Sequence, residues 1–122
     1  MKLHAERPAG HHIRSFEPGL LRLADRNLNA AAIIAPDRLI EDWQPADPLA
    51  ITLEDLAPAL ALEPELIIVG TGLTQRFVSP TVAAQVMRRG IGLECMATQA
   101  ACRTYNILMA EDRRVVAALL LR

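Results

Sequence analysis

Aromatic residues are scarce in this sequence: two Phe, one Tyr and one Trp. Proteins that hold single-stranded nucleic acid stack its bases on aromatic side chains, so the scarcity argues against that class. No positive charge makes up for it. Thirteen Lys and Arg stand against fourteen Asp and Glu, a formal net charge of −1. The basic residues are dispersed along the chain, so no DNA or RNA partner is expected. The pairs Arg88-Arg89 and Arg113-Arg114 read as solvated ends of elements. Long apolar runs are missing too, since none reaches the ~18 residues of a membrane span. The opening Met1-Lys2-Leu3-His4-Ala5-Glu6-Arg7-Pro8 leads into no apolar signal-peptide core. The expectation is a soluble, cytoplasmic protein with no transmembrane segment.

Cysteine is sparse and unpatterned. Cys95 and Cys102 match neither a C-x-x-C nor a zinc spacing. In a reducing cytosol they are expected to be unpaired thiols that pack as small apolar residues. His4, His11 and His12 have no cysteine or carboxylate cluster beside them. Adjacent histidines on a strand point to opposite faces, so no metal site is expected. Ser15, Ser79 and the histidines form no nucleophile motif, and the acids are scattered without a recognisable general acid–base pair. No catalytic residue and no cofactor are therefore assigned, and nothing in the pattern supports an enzyme.

What the chain has in quantity is aliphatic side chains. The hydrophobic fraction is 52%, drawn from Ala, Leu, Ile and Val. A length of 122 residues suits a single domain, 1–122, large enough for a core without disulfides or metals. The last proline is Pro80, so the longer elements are expected after it.

The first half reads mostly as short strands. His11–Glu17 alternates and ends at the turn pair Pro18-Gly19; Leu20–Ala24 follows, then a turn at Asp25-Arg26-Asn27. The run Ala31-Ala32-Ile33-Ile34-Ala35 within Asn29–Ala35 suits a buried strand, punctuated by Pro36-Asp37, and Arg38–Trp43 suits another. Thr52 with Asp55 marks a helix start. Pro58 predicts a short or broken helix ending near Leu62.

The second half alternates strand and helix. Leu66-Ile67-Ile68-Val69 before Gly70-Thr71-Gly72 marks a central strand buried on both faces. Ser79-Pro80 predicts an N-cap and first helical residue. That helix is expected to run to Arg89, stop at Gly90 and carry its apolar stripe on Val82, Ala83, Val86 and Met87. Ile91–Met96 is a strand, Thr98 caps a helix to about Ala110, and Val115–Leu121 is a last strand, antiparallel to the others if the turn at Glu111-Asp112-Arg113 acts as a hairpin. This order predicts a layered α/β sheet.

Two places could carry function. The glycines of Gly70-Thr71-Gly72 allow a sharp turn with exposed N–H groups at the end of a central strand, where α/β sheets bind ligands. Gln75 stands where a dinucleotide motif needs its third glycine, so the choice there is between a structural turn and a small anion held by backbone amides with help from Arg76. The second place is the helix after Thr98. Helical projection puts Ala97, Ala101, Thr104, Tyr105 and Leu108 on an inward face and gathers Gln99, Arg103 and Asn106 opposite, at i,i+4 and i,i+3 spacing, with Cys102 at the edge of that polar side. That group is either a solvated face or a patch gripping a carboxylate, a phosphate or a partner's backbone. Arg103 would have its counter-charge internally, from Glu94, or externally, from a partner.

Three stretches together carry a family resemblance: Val69-Gly70-Thr71-Gly72, Arg89-Gly90-Ile91-Gly92-Leu93-Glu94-Cys95-Met96, and Thr98 with Ala100-Ala101-Cys102-Arg103-Thr104-Tyr105-Asn106-Ile107-Leu108. They resemble the mitochondrial NADH dehydrogenase (complex I) assembly factor three family, whose bacterial and archaeal members are largely a domain of unknown function. The resemblance implies a three-layer α/β fold, with a central mixed sheet, helices on one side and a small N-terminal β layer on the other. It also implies a non-enzymatic role with a protein partner in respiratory-complex assembly. The signature positions it carries over are Gly70, Gly72, Arg103, Thr104, Tyr105 and Asn106. The candidate binding set is thus Gly70, Thr71, Gly72, Arg76, Gln99, Arg103, Thr104, Tyr105 and Asn106. The expected function is that of an interaction module; the alternative is a small-anion binder or an enzyme built on the Gly70–Gly72 turn and Arg103. No oligomeric state is specified by the pattern.

Overall fold

A computed structural model describes residues 11–122; His4, one of the histidines considered as a ligand, lies outside them. Three short strands, β1 (Ile13–Glu17), β2 (Leu20–Leu23) and β3 (Asn27–Leu28), make an antiparallel sheet in the order β1-β2-β3. Pro18-Gly19 forms its first turn, with Gly19 at φ +78. The chain then enters β4 (Ala32–Ala35) and β5 (Arg38–Ile40), a hairpin turning on Pro36-Asp37. After α1 (Leu53–Leu60) come β6 (Leu66–Thr71), α2 (Pro80–Met87), β7 (Gly92–Met96), α3 (Thr98–Ala110) and β8 (Val115–Leu120). The second sheet has five strands in the order β5-β4-β8-β6-β7.

Capping fixes two helix starts where the sequence placed them. Thr52 Oγ1 accepts from the Asp55 N–H at 3.0 Å while Asp55 Oδ2 accepts from the Thr52 N–H at 2.9 Å, a reciprocal capping box. Ser79 Oγ accepts from the Val82 N–H at 3.2 Å, with Pro80 as the first helical residue. Pro58 does not break α1; the helix is only eight residues long and simply ends at Leu60. On α2, Val82 and Val86 are buried but Met87 projects into solvent, so the apolar stripe is narrower than expected. The strand expected over Arg38–Trp43 stops at Ile40, and Asp42 takes φ +63, outside extended backbone. Trp43 instead packs inward and donates from Nε1 to the Asp55 carbonyl at 2.8 Å, joining this segment to α1.

The α/β class, the central mixed sheet and the separate N-terminal β layer are present as expected. The helices, expected on one side, divide between the two faces. One face packs Ile33, Ile67, Val69, Val116 and Ala118 against α1 and α2. The other packs Ile34, Ile68, Val115, Ala117 and Leu119 against α3 and the small sheet. Chirality explains the division. The β6–α2–β7 crossover moves one way across the sheet, and β7–α3–β8 returns past β6 in the opposite direction. With both connections right-handed, their helices must lie on opposite faces.

The last strand is parallel to β6 and antiparallel to β4. The short turn before it reverses the chain from helix to strand; α3 itself has already carried the chain back along the sheet. All six residues of β8 are buried, as its central place requires.

Candidate functional site

At the C-terminal ends of β6 and β7 the chain leaves toward opposite faces, α2 on one and α3 on the other. In open α/β sheets this divergence opens a crevice for ligands. Here Thr71, Gln75 and Thr98 form hydrogen bonds across it. Gly70 lacks a side chain because α3 rests on it: a Cβ would fall 2.8 Å from Leu119 Cδ2, 2.9 Å from Thr98 Oγ1 and 3.2 Å from Thr98 Cα. Gly72 follows at φ +89, in the left-handed region that glycine tolerates.

Thr98 holds this junction. Its N–H donates to the Gly72 carbonyl at 2.9 Å, its Oγ1 accepts from the Gly72 N–H at 2.8 Å, and its hydroxyl donates to the Leu120 carbonyl at 2.5 Å. Thr98 is therefore not the cap of α3. That position falls to Ala97, which has no side-chain cap bond, and the fully buried Thr98 joins β6, β8 and α3. Thr71 works similarly one residue earlier. Its oxygen accepts from the Arg76 N–H at 3.0 Å and lies 2.8 Å from the Thr74 carbonyl and 3.2 Å from the Met96 carbonyl. Gln75 Nε2 donates to the Cys95 carbonyl at 3.1 Å. The Gly72 N–H, one of the amides considered above for an anion, is thus bonded within the fold, and so is the Arg76 N–H.

The same loop carries two further residues outside the set expected from the sequence. Leu73 and Phe77 are 60% and 77% exposed, although backbone ties through Thr71 and Gln75 hold the loop between them. The available signal was a large apolar residue on each side of a polar stretch, between a strand end and a Ser-Pro helix start. Between them, the exposed Arg76 guanidinium has no bonded partner among the described residues. Leu73 directly follows Gly72, and Gln99 directly follows Thr98, so both flank one bonded pair at this end of the sheet. Arg103 stands one turn further along α3.

On α3, Thr98, Ala101, Cys102 and Tyr105 are buried, Leu108 and Met109 partly so, and Gln99, Arg103 and Ile107 are exposed. Asn106 does not join Gln99 and Arg103. Its Oδ1 accepts from the Ile13 N–H at 3.0 Å and its Nδ2 donates to the Ile13 carbonyl at 2.7 Å, mimicking a neighbouring strand for β1. The projection assumed one buried face, but α3 packs on both the large sheet and β1, which turns Cys102 and Asn106 inward. Thr104 is half-buried. Arg103 makes no ion pair with Glu94, and neither has a bonded partner among the described residues.

The interior groups of α3 are chemically quiet. Burial pushes the Cys102 thiol up to about 12, against the opposing charge of Arg103, and burial also raises Cys95. Both cysteines are free, and as protonated thiols at neutral pH they are poor nucleophiles. Tyr105 is fully buried and its hydroxyl has no hydrogen-bond partner. Burial holds that phenol well above its ordinary range, and the Asp37 charge adds to the effect while Arg114 opposes it. Among the described residues, no three His, Cys, Asp or Glu side chains come together as a metal site. No helix among them is long and apolar enough to cross a membrane.

Residues 13–120 match a family model described as a protein of unknown function (DUF498/DUF598). NADH dehydrogenase [ubiquinone] 1 alpha subcomplex assembly factor 3 of Danio rerio is 28% identical over 120 residues, spanning 97% of this chain and 68% of that protein. A crystal structure of a Bordetella parapertussis protein superimposes with TM-score 0.84 at 38% identity, covering 95% of this chain and 99% of the other. A Bordetella pertussis protein described as a Mth938-like domain gives TM-score 0.81 at 32% identity, covering 99% and 92%.

Proposed function

We propose, for a chain that belongs to the DUF498/DUF598 family of proteins of unknown function, a role as a cytoplasmic single-domain interaction module that docks a protein partner during assembly of a respiratory complex. The docking surface lies at the C-terminal ends of β6 and β7. Leu73, Arg76 and Phe77 provide its centre, and Gln99 and Arg103 on α3 extend it. The observation that carries this reading is the loop itself: backbone and side-chain bonds from Thr71 and Gln75 fix it, yet Leu73 and Phe77 point away from the core. An exposed Phe beside an arginine, already held in place, matches the aromatic and Arg enrichment of interface cores and loses little entropy on binding. The assembly context comes from the name of the Danio rerio relative, about two thirds of whose length this chain spans. Gly70, Thr71 and Gly72 support that surface from beneath, whereas Tyr105 and Asn106 lie further along α3, near Asp37 and Arg114 and against β1, and the half-buried Thr104 lies between them and Arg103. The reading involves no cofactor and no catalytic step. An anion at the Gly70–Gly72 turn is disfavoured because the Gly72 and Arg76 amides already have acceptors.

Site-specific photocrosslinking in the native cell tests this. A photoreactive residue at position 77 should capture a discrete protein, and capture should fall at least tenfold when Leu73→Ser and Arg76→Ala are added. The same label at Glu54, an exposed residue of α1, should capture nothing comparable. Equal capture at both positions, or none at position 77, refutes the proposal.

A further inference from the structure

The small sheet has a second face, turned away from the core, that carries several arginines. The β1–β2 register slips between Ile13 and Ser15, a bulge that leaves Arg14 as the extra residue. It allows Ile13 and Phe16, three positions apart, both to reach the core, and it leaves Arg14 and Ser15 together on the outside. Ser15 pairs with Arg22 and Arg22 with Asn27, so these three form a row across all three strands. Arg14 sits beside one end of this row and Arg26 beside the other. Together they line an open groove of about 620 Å3 that also includes Asp25.

Residues that look dispersed in sequence are thus gathered by the fold. The groove brings together three guanidinium groups, with Asp25 as its one acid. Arg26 is engaged by Glu41 at 2.5 Å and lies 3.7 Å from Asp25. Arg22 has only a loose contact with Glu17, at 3.5 Å. Arg14 has no bonded partner among the described residues. Like charges on neighbouring strands repel, so Arg14 beside Arg22 gives the fold nothing that a neutral pair would not.

We propose that this face binds an acidic, extended segment of a protein partner, with the carboxylates of Glu or Asp taken by Arg14 and Arg22. The inference stands apart from the docking surface above and does not depend on it. Guanidinium is suited to planar, bidentate carboxylate recognition. Arg14 and Arg22 stand on neighbouring strands, about 5 Å apart at the backbone, so two guanidinium groups are offered side by side. An extended peptide puts every second side chain on one side, about 7 Å apart, a separation that two long arginine side chains can span to take one carboxylate each.

The test is titration of the full chain with a deca-glutamate peptide at low ionic strength, read by calorimetry. Binding should weaken at least tenfold in Arg14→Gln/Arg22→Gln, fall steeply with added salt, and be unchanged in the charge-matched control Arg88→Gln/Arg89→Gln. If the double variant melts early, Arg14→Glu alone carries the test, because that exposed side chain holds nothing inside the fold. Absence of binding, equal loss in the control, or tighter binding of a single-stranded oligonucleotide or of inorganic phosphate would overturn the proposal.

Discussion

Thr71, Thr98 and Asn106 turn their polar groups inward and bond them to backbone, whereas Arg76, Gln99 and Arg103, a few residues away, project theirs into solvent. The two sets interleave along the same stretches of chain. The first builds a platform and the second is displayed on it. A run of distinctive residues such as Cys102-Arg103-Thr104-Tyr105-Asn106 is therefore not a site as a unit, because its members face different ways and answer to different constraints.

This division can be broken most severely at Tyr105. Tyr105→Ala removes a fully buried ring from between α3 and the sheet and should cost about 3–5 kcal/mol in denaturant melts. Tyr105→Phe sharpens the same point. The lost hydroxyl has no partner, so stability should stay level or rise slightly; a loss above ~1 kcal/mol would mean that the hydroxyl is bonded to something, such as an internal water.

Thr98→Val comes next. It keeps the shape but strips acceptor and donor from the Gly72 N–H and the Leu120 carbonyl, which should cost roughly 2–3 kcal/mol. A change below ~0.5 kcal/mol would move Thr98 out of the platform.

A smaller effect is expected at the Asp37–Arg114 ion pair, 2.7 Å long, which links the β4–β5 turn to the start of β8. The Arg114 hydrogen bond is the main cause holding the Asp37 carboxyl below its ordinary range. A depressed carboxylate stabilises the fold above its unfolded pKa, near ~3.9, and that stability is lost as pH falls through the lower folded value. Wild type and Asp37→Asn should thus differ above about pH 4 and converge in more acidic melts. The gap should stay under about 1 kcal/mol because Asp37 is largely exposed.

Smallest of all should be Leu73→Ser and Arg103→Ala, each within about 0.5 kcal/mol of wild type, as expected for exposed side chains. A melting temperature markedly lowered by Arg103→Ala would place that residue in the platform and erase the contrast.

How much of this was legible in the sequence depended on how local the cause was. The helix starts at Thr52 and Ser79, the turn at Pro18-Gly19 and the buried strand before Gly70 follow from neighbours within a few positions. Three features do not. The short turn before β8 suggests a hairpin, but the strand's direction depends on the path of α3. A helical projection turns Asn106 outward because it takes no account of β1, whose Ile13 is 93 residues away in sequence. Thr98 looks like a cap, and only the approach of Gly72 and Leu120 shows that its hydroxyl is needed elsewhere. The candidate site was legible as a region and not as a residue list, since exposure of Leu73 and Phe77 is a property of the folded loop.

The central position of β8 bears on how the chain can be made. The β4–β5 hairpin and the β6–β7 pair have no ladder between them; each joins the five-stranded sheet only through β8. Yet β8 is the last of these strands to leave the ribosome. Until then both pairs carry an open edge lined by Ile33, Ile34, Ile67, Ile68 and Val69, all of which are fully buried in the finished sheet. The sheet is thus completed by the insertion of a fully apolar strand into a waiting slot, a late, long-range step of the kind that folds slowly and invites aggregation. A nascent chain stalled before Val115 should engage chaperones or proteases that the released protein escapes.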